Sequence, residues 1–217
     1  MTGKTKISRR SMLTAGAGLA ATAISGTTIG KSMTVTPSNP EGPIFPVHKQ
    51  VDMDTDLTLI EGHTERAQGE VIKVTGQVLD DKGLPVEGAL VDIWQANTNG
   101  RYHHEDDPAT MPTDPNFQGW GMVKTDAQGR YSFTTIKPGA YMVDDEWRRP
   151  PHIHYKVSRR GFREITTQMY FAGEALNEKD HLLNDVAENE RDLLVVDFNE
   201  RDGVLQGDFS VVLAKVS

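Results

Sequence analysis

The chain has 217 residues, of which 37% are hydrophobic and 25% charged, with a net charge of −8 and no cysteine. That balance belongs to a globular chain with one real core, neither fibrous nor membrane-embedded. The absence of cysteine excludes disulfides, zinc–thiolate sites, iron–sulfur clusters and thiol nucleophiles.

The first 32 residues hold five basic residues (Lys4, Lys6, Arg9, Arg10, Lys31) and no acid. Ser8-Arg9-Arg10-Ser11-Met12-Leu13 leads into a weakly apolar run from Met12 to Ile29, rich in Ala, Gly and Thr. A charged start, an apolar middle and a small-residue exit are the grammar of an export signal, and the paired arginines match the twin-arginine type. Residues 1–32 are therefore expected to direct export to the periplasm or beyond, with cleavage near Ser25 and no stable membrane insertion. The remainder carries 18 basic against 31 acidic residues, a balance of −13. So acidic a body is a poor partner for nucleic acid or anionic lipid.

Residues 33–70 read as irregular, with Thr36 to Pro43 dense in turn formers. From Val71 the pattern becomes that of strands. Val71 to Leu79 alternates and ends at the Asp80-Asp81-Lys82-Gly83 turn; Ala89 to Ala96 reads as the next strand. Further strands are expected at Gly121 to Thr125, Arg130 to Thr134, Ala140 to Val143, His152 to Ser158, Ile165 to Phe171, Leu193 to Phe198 and Phe209 to Ala214. Glu174 to Val186 is the one stretch with a helical period, and Asn199 to Gly203 reads as a polar connection. Many short strands with Gly/Pro turns predict an all-β fold, a sandwich of mainly antiparallel strands with long loops and little helix.

Candidate chemistry gathers around His152 and His154, two residues apart on one strand and so on one face. Pro150 and Pro151 stiffen the entry to that strand. Tyr141 follows the Lys137-Pro138-Gly139-Ala140 turn, and Tyr102 follows the Asn97-Thr98-Asn99-Gly100 loop. Judged singly, each tyrosine is an ordinary packing residue and the histidine pair could be solvated. Taken together, two imidazoles and two phenol oxygens suit a hard, oxidised metal ion. A site for zinc or copper without Tyr141 is an alternative, and His103 and His104 beside Tyr102 are further ligand candidates.

Several spaced segments carry a resemblance. Asp92-Ile93-Trp94-Gln95-Ala96-Asn97-x-x-Gly100-x-Tyr102 is similar to the first ligand segment of the intradiol ring-cleavage dioxygenases. Thr125-Asp126-x-x-Gly129-x-Tyr131, running on to Pro138-Gly139-x-Tyr141, resembles their central signature. Arg149-Pro150-x-His152-Ile153-His154 resembles their histidine segment, Thr166 to Phe171 the strand behind it, and Glu41-Gly42-Pro43 an N-terminal turn. The order is right, and the match runs from about Thr36 to the C-terminus.

The resemblance implies a catalytic sandwich domain over residues 33–217 that binds non-haem iron(III) through Tyr102, Tyr141, His152 and His154. It implies that Tyr141 takes up substrate protons, and that Arg149 and Gln168 lie near the bound substrate, with Arg149 stabilising negative charge on the ring. A catechol-type diol and O2 would be the substrates and a cis,cis-muconate-type dicarboxylic acid the product, in aromatic compound catabolism; a homo-oligomer stays open. By length the chain is similar to a catalytic subunit of the protocatechuate-cleaving branch. The acids Asp144, Asp145 and Glu146 after Tyr141 would repel a substrate carboxylate if they faced the pocket. The competing expectation is an exported, non-enzymatic binding module of the transthyretin-like type, because Val74-Thr75-Gly76-x-Val78 and Gly83 to Val91 fit that pattern too.

Overall fold

The computed structural model describes residues 32–46 and 52–216. The expected export segment therefore lies, but for Ser32, outside the described residues. Twelve strands run in chain order among them: β1 (Val71–Asp80), β2 (Leu90–Trp94), β3 (Trp120–Lys124), β4 (Arg130–Ile136), β5 (Tyr141–Met142), β6 (Arg148–Arg149), β7 (His152–Ser158), β8 (Ile165–Phe171), β9 (Val195–Val196), β10 (Asn199–Arg201), β11 (Val204–Asp208) and β12 (Val211–Leu213). They form two five-stranded sheets and one two-stranded ribbon, β5–β6. The fold is all-β, as the strand spacing implies.

In the first sheet β1 is central. β4 pairs with it antiparallel along one edge. The other edge is shared in turn by β11 and β12, both parallel to β1. The join between β11 and β12 falls at Phe209, whose ring enters the core and whose carbonyl accepts a hydrogen bond from the Tyr131 hydroxyl. A Cβ on Gly76 would lie 2.0 Å from that carbonyl oxygen, so only glycine fits there.

The second sheet has the order β3-β2-β7-β8-β9. Its inner face meets the first sheet through alternate residues: Ile72, Val74 and Val78 of β1 and Phe133 of β4 pack with Ile153, Tyr155 and Val157 of β7 in one buried cluster. The Tyr155 ring lies 4.7 Å from Phe209 and 6.1 Å from Phe133, centre to centre. Burial of each such side chain is worth about 1.5–3 kcal/mol.

The same alternation turns His152 and His154 to the outer face of this sheet. A second cluster of Trp94, Ala96, Tyr102 and Trp120, backed by Ile44, Phe45 and Tyr141, covers that face. The roof over it comes from the irregular N-terminal arm. Thr36 N donates to Val212 O at 3.1 Å, Asn39 N to Thr166 O at 2.9 Å, and Lys156 pairs with Glu41 at 2.7 Å. These bonds lay the arm across β12, β8 and β7. A second strap closes the side: Met122 N donates to Met53 O, Thr134 N donates to Thr55 O, and Leu57 N donates to Thr134 O, so residues 53–57 cover the free edges of β3 and β4.

Two expectations change. The helical period over Glu174–Val186 resolves into a 3-10 turn at Ala175–Lys179 and a single α-turn, α1 (His181–Asn184), because Asp180 breaks the run and caps α1 with its side chain. A further 3-10 turn spans Glu188–Leu193. The segment read as a polar connection is β10, hairpin-paired with β11 around Asp202-Gly203; its residues are exposed on a sheet edge, which hid the strand signal.

Candidate metal centre

β7 places its two imidazoles side by side, with His152 Nε2 3.2 Å from His154 Nε2. The His152 Nδ1–H donates to Pro150 O at 2.7 Å, which leaves the lone pair on Nε2. The indole of Trp94, opposite in register on β2, stacks on the His154 ring at 4.8 Å and 14°. Burial, and then the nearby Arg149 charge, push the His152 pKa well below its ordinary value; for His154 burial comes first, then His152. Both rings are thus neutral and ready to ligate.

The two tyrosines reach this pair from separate loops. The Tyr102 hydroxyl lies 3.1 Å from His154 Nε2 and 3.4 Å from His152 Nε2. The Tyr141 hydroxyl lies 3.4 Å from His152 Nε2. The tyrosine rings meet edge-on at 5.5 Å. Their loops approach closely because two glycines face each other: a Cβ on Gly139 would sit 2.4 Å from Thr98 O, and one on Gly100, whose φ is +77°, 2.7 Å from Ala140 O. Tyr102 is buried, and its amide donates to Asp107 Oδ2 at 2.6 Å. Asp107 also accepts from Ala109 N and pairs with Arg101 at 3.5 Å, so the loop is pinned. Tyr141 is only half-buried. Burial, with Tyr141 adding to it, holds the Tyr102 phenol well above its usual pKa.

Arg149 is 3% exposed and its charge is balanced within the wall. Its Nε and Nη2 donate to Asp180 at 2.9 and 3.1 Å, and Nη2 also reaches Gln168 Oε1 at 2.7 Å and the Tyr170 hydroxyl at 3.0 Å. That fixes Nη1 3.2 Å from His152 Nε2. Gln168 spends its carbonyl oxygen on Arg149 and Tyr170, while its Nε2 has no partner.

All six candidate residues therefore meet at one place. His103 and His104 do not: His103 is exposed, and His104 Nδ1 accepts from the Asp106 amide at 3.1 Å. Asp180, Trp94, Tyr170 and Asp107 are parts of the site that patterns in the sequence leave without a role. Trp94 and Tyr170 stand within the segments that carry the resemblance, without a role of their own, and nothing local singles out Asp180.

Four of the separations among these donor atoms fall at 3.1–3.4 Å, which suits a single ion, since ligand atoms about 2 Å from a common centre stand about 3 Å apart. Among the described residues no three His, Cys, Asp or Glu gather to hold a metal, so a site here has to use the tyrosines. A non-enzymatic module would give these four side chains no reason to converge.

A family model described as Dioxygenase matches residues 40–214. The protocatechuate 3,4-dioxygenase beta chain of Burkholderia cepacia is 41% identical over 179 residues, covering 79% of this chain and 76% of that one. Catechol 1,2-dioxygenase 2 of Acinetobacter lwoffii is 32% identical over 180 residues, covering 74% of this chain but only 58% of its own length. Among solved structures, the dioxygenase domain of a carbohydrate-binding fusion protein from Streptomyces sp. SirexAA-E superposes with a TM-score of 0.63 at 29% identity, covering 84% of this chain and 100% of that one. Catechol 1,2-dioxygenase from Pseudomonas arvilla C-1 gives 0.65 at 26% identity, over 84% of this chain and 63% of that one. With the family model spanning nearly the whole described body, the chain belongs to the intradiol ring-cleavage dioxygenases.

Proposed function

We propose that this chain uses non-haem iron(III), held by Tyr102, Tyr141, His152 and His154, to open the ring of a catechol-type diol with O2 between its hydroxylated carbons. The observation that carries the proposal is the convergence of two phenol oxygens and two imidazole nitrogens on one buried point. When bound, iron(III) supplies a Lewis acid that makes the diol acidic and draws electron density from its ring. The overall reaction balances: both oxygen atoms of O2 enter the dicarboxylic product, and no outside reductant is needed.

The chain's own groups divide the remaining work. His152 and His154 bind as neutral rings, His152 oriented by Pro150 O and His154 backed by Trp94. Tyr102 is the fixed phenol, pinned through its amide to Asp107. Tyr141, half-buried at the start of a two-residue strand, would hold the metal as a phenolate, and that phenolate Oη is the base that would take a proton from a diol hydroxyl, leaving a neutral phenol. The Arg149 guanidinium stabilises negative charge that develops on the ring. Gln168 holds that guanidinium in place and keeps an unspent amide N–H for the site. Hydrophobic cover from the arm and from Trp94 excludes water and strengthens these interactions.

Oxygen uptake by iron-quantified protein, with product spectra, tests the proposal. Purified protein is expected to be red-brown and to form muconate-type product from catechols. Tyr102→Phe and His152→Ala should each lose the visible band and the activity together with iron. A His152→Ala protein that keeps full activity without iron would refute the proposed ligand set.

A further inference from the structure

A cavity of about 330 Å³ opens onto three of the four donors, Tyr102, Tyr141 and His154, with Arg149 and Gln168 beside them at its base. That is near the small end of ligand pockets, which run from about 300 to 1,000 Å³, with room for one ring and a modest substituent. Its outer wall is apolar: Pro43 and Ile44 of the arm, Met142, Val143 and Trp147 of the β5–β6 ribbon, and Leu182 of α1. The acids Asp144, Asp145 and Glu146 are exposed on the ribbon's turn and absent from this lining, so they do not repel a ligand directly. The Asp144 carboxylate is occupied with the amides of Glu146 and Trp147.

The charges that do line the cavity are Glu41, Asp106, Asp107 and Arg149. Glu41 is paired with Lys156, and Asp107 with Arg101. Arg149, the one cation in the lining among the described residues, is already neutralised by the buried Asp180. Asp106 remains, three-quarters exposed at the rim and 4.0 Å from His104 Nδ1. A ring carboxylate entering here would shed water against apolar walls and find no uncommitted cation among the described residues.

Resting on the function proposed above, we infer that the substrates are electroneutral catechols carrying an apolar substituent, and that a carboxylate on the ring is excluded. The residues that set this preference are Ile44, Met142, Val143 and Trp147, which offer surface to an alkyl, aryl or ether group. This separates the chain from the substrate named for its 41% identical relative.

The test compares specificity constants for oxygen uptake with catechol, 4-methylcatechol, protocatechuate and the methyl ester of protocatechuate, all on the same iron-loaded protein. The expected result is 4-methylcatechol at or above catechol, and the ester at least about a hundredfold above the free acid. The ester is larger than the acid but uncharged, so charge and size are separated. Val143→Arg, at a position 43% exposed where a long side chain can be accommodated, should raise protocatechuate relative to 4-methylcatechol by about tenfold or more. Met142→Arg, 50% exposed, serves if the first variant does not fold. Protocatechuate used as well as its ester, or a ratio unmoved by both arginine variants, overturns the inference and leaves the proposed function standing. No uptake with any of the four diols overturns the proposed function, and the inference with it.

Discussion

At the scale of single residues, Arg149 and Asp180 explain each other. A guanidinium 3% exposed beside two imidazoles would be costly alone, and a carboxylate with no exposed surface would be too. Bidentate pairing, with Gln168 and Tyr170 taking the remaining bonds, fixes the arginine fork and aims one amino group at the donors. Asp180→Asn should keep the shape of the contact and lose its charge. We expect iron content near that of the parent, kcat lowered about 10- to 100-fold, and KM changed much less, because the lost interaction acts on charge developing in the reaction. Asp180→Glu should recover part of kcat. A drop in kcat that merely tracks lost iron would show Asp180 to be structural only. Removing the partner of a buried charge also costs about 3–5 kcal/mol, so the melting temperature of Asp180→Asn falls as well.

None of that pairing could be seen in the sequence. Arg149 and Asp180 are 31 positions apart, and an aspartate before a short helical turn looks like any N-cap. The ligand side was far more legible. Alternation along His152–Ser158 decides by itself that both imidazoles share a face, and the proline pair before it marks the strand's start. Tyr102 and Tyr141 were legible only as members of ordered segments, since sheet tyrosines usually pack and nothing local says that two loops will meet.

Among the elements, the meeting of those loops depends on Gly100 and Gly139. Each stands where a side chain would strike the other's backbone, and Gly139 N also donates to Asn97 O at 2.9 Å. Gly139→Ala should therefore part the Tyr102 and Tyr141 loops while sparing the distant inter-sheet core. The expected outcome is a folded protein with a far-ultraviolet spectrum like the parent's, iron affinity down at least about tenfold, and a weakened visible band. Parent-level iron binding in that variant would show that the two loops do not need the glycine contact. Strands buried on one face, such as β1, β7 and β8, announce themselves by alternation. The edge strand β10, with all three residues exposed, and the two-residue β6 have no such pattern to offer. The helical period over Glu174–Val186 was real in its spacing, but tertiary demand for Asp180 at Arg149 divides it.

For the molecule as a whole, the sequence divides by charge: the first 32 residues carry five basic groups and no acid, and the rest is acidic. Export through the twin-arginine route is our proposal for the leader, resting on Ser8 to Leu13 and the apolar run behind it. That route carries folded proteins, which suits a site that must be assembled from two loops and a strand before a metal can be held. Fractionation of cells making the Arg9→Lys, Arg10→Lys double variant should find active enzyme retained inside, where the parent is found outside the cytoplasm. Unchanged export of the double variant would dispose of the route.

The position of the site on the outer face of the second sheet has a further consequence, for how such a protein can diversify. β7 is a stave of the core on one side and the anchor of the donors on the other, so metal chemistry and folding share a single rigid strand. The cavity's outer wall is drawn instead from peripheral pieces: the arm at residues 40–44, Met142, Val143 and Trp147 of the ribbon, and Leu182 of α1. Those pieces can be exchanged or lengthened without touching the packing between the sheets. A lineage built on this plan is free to drift in diet while its catalytic heart is inherited intact.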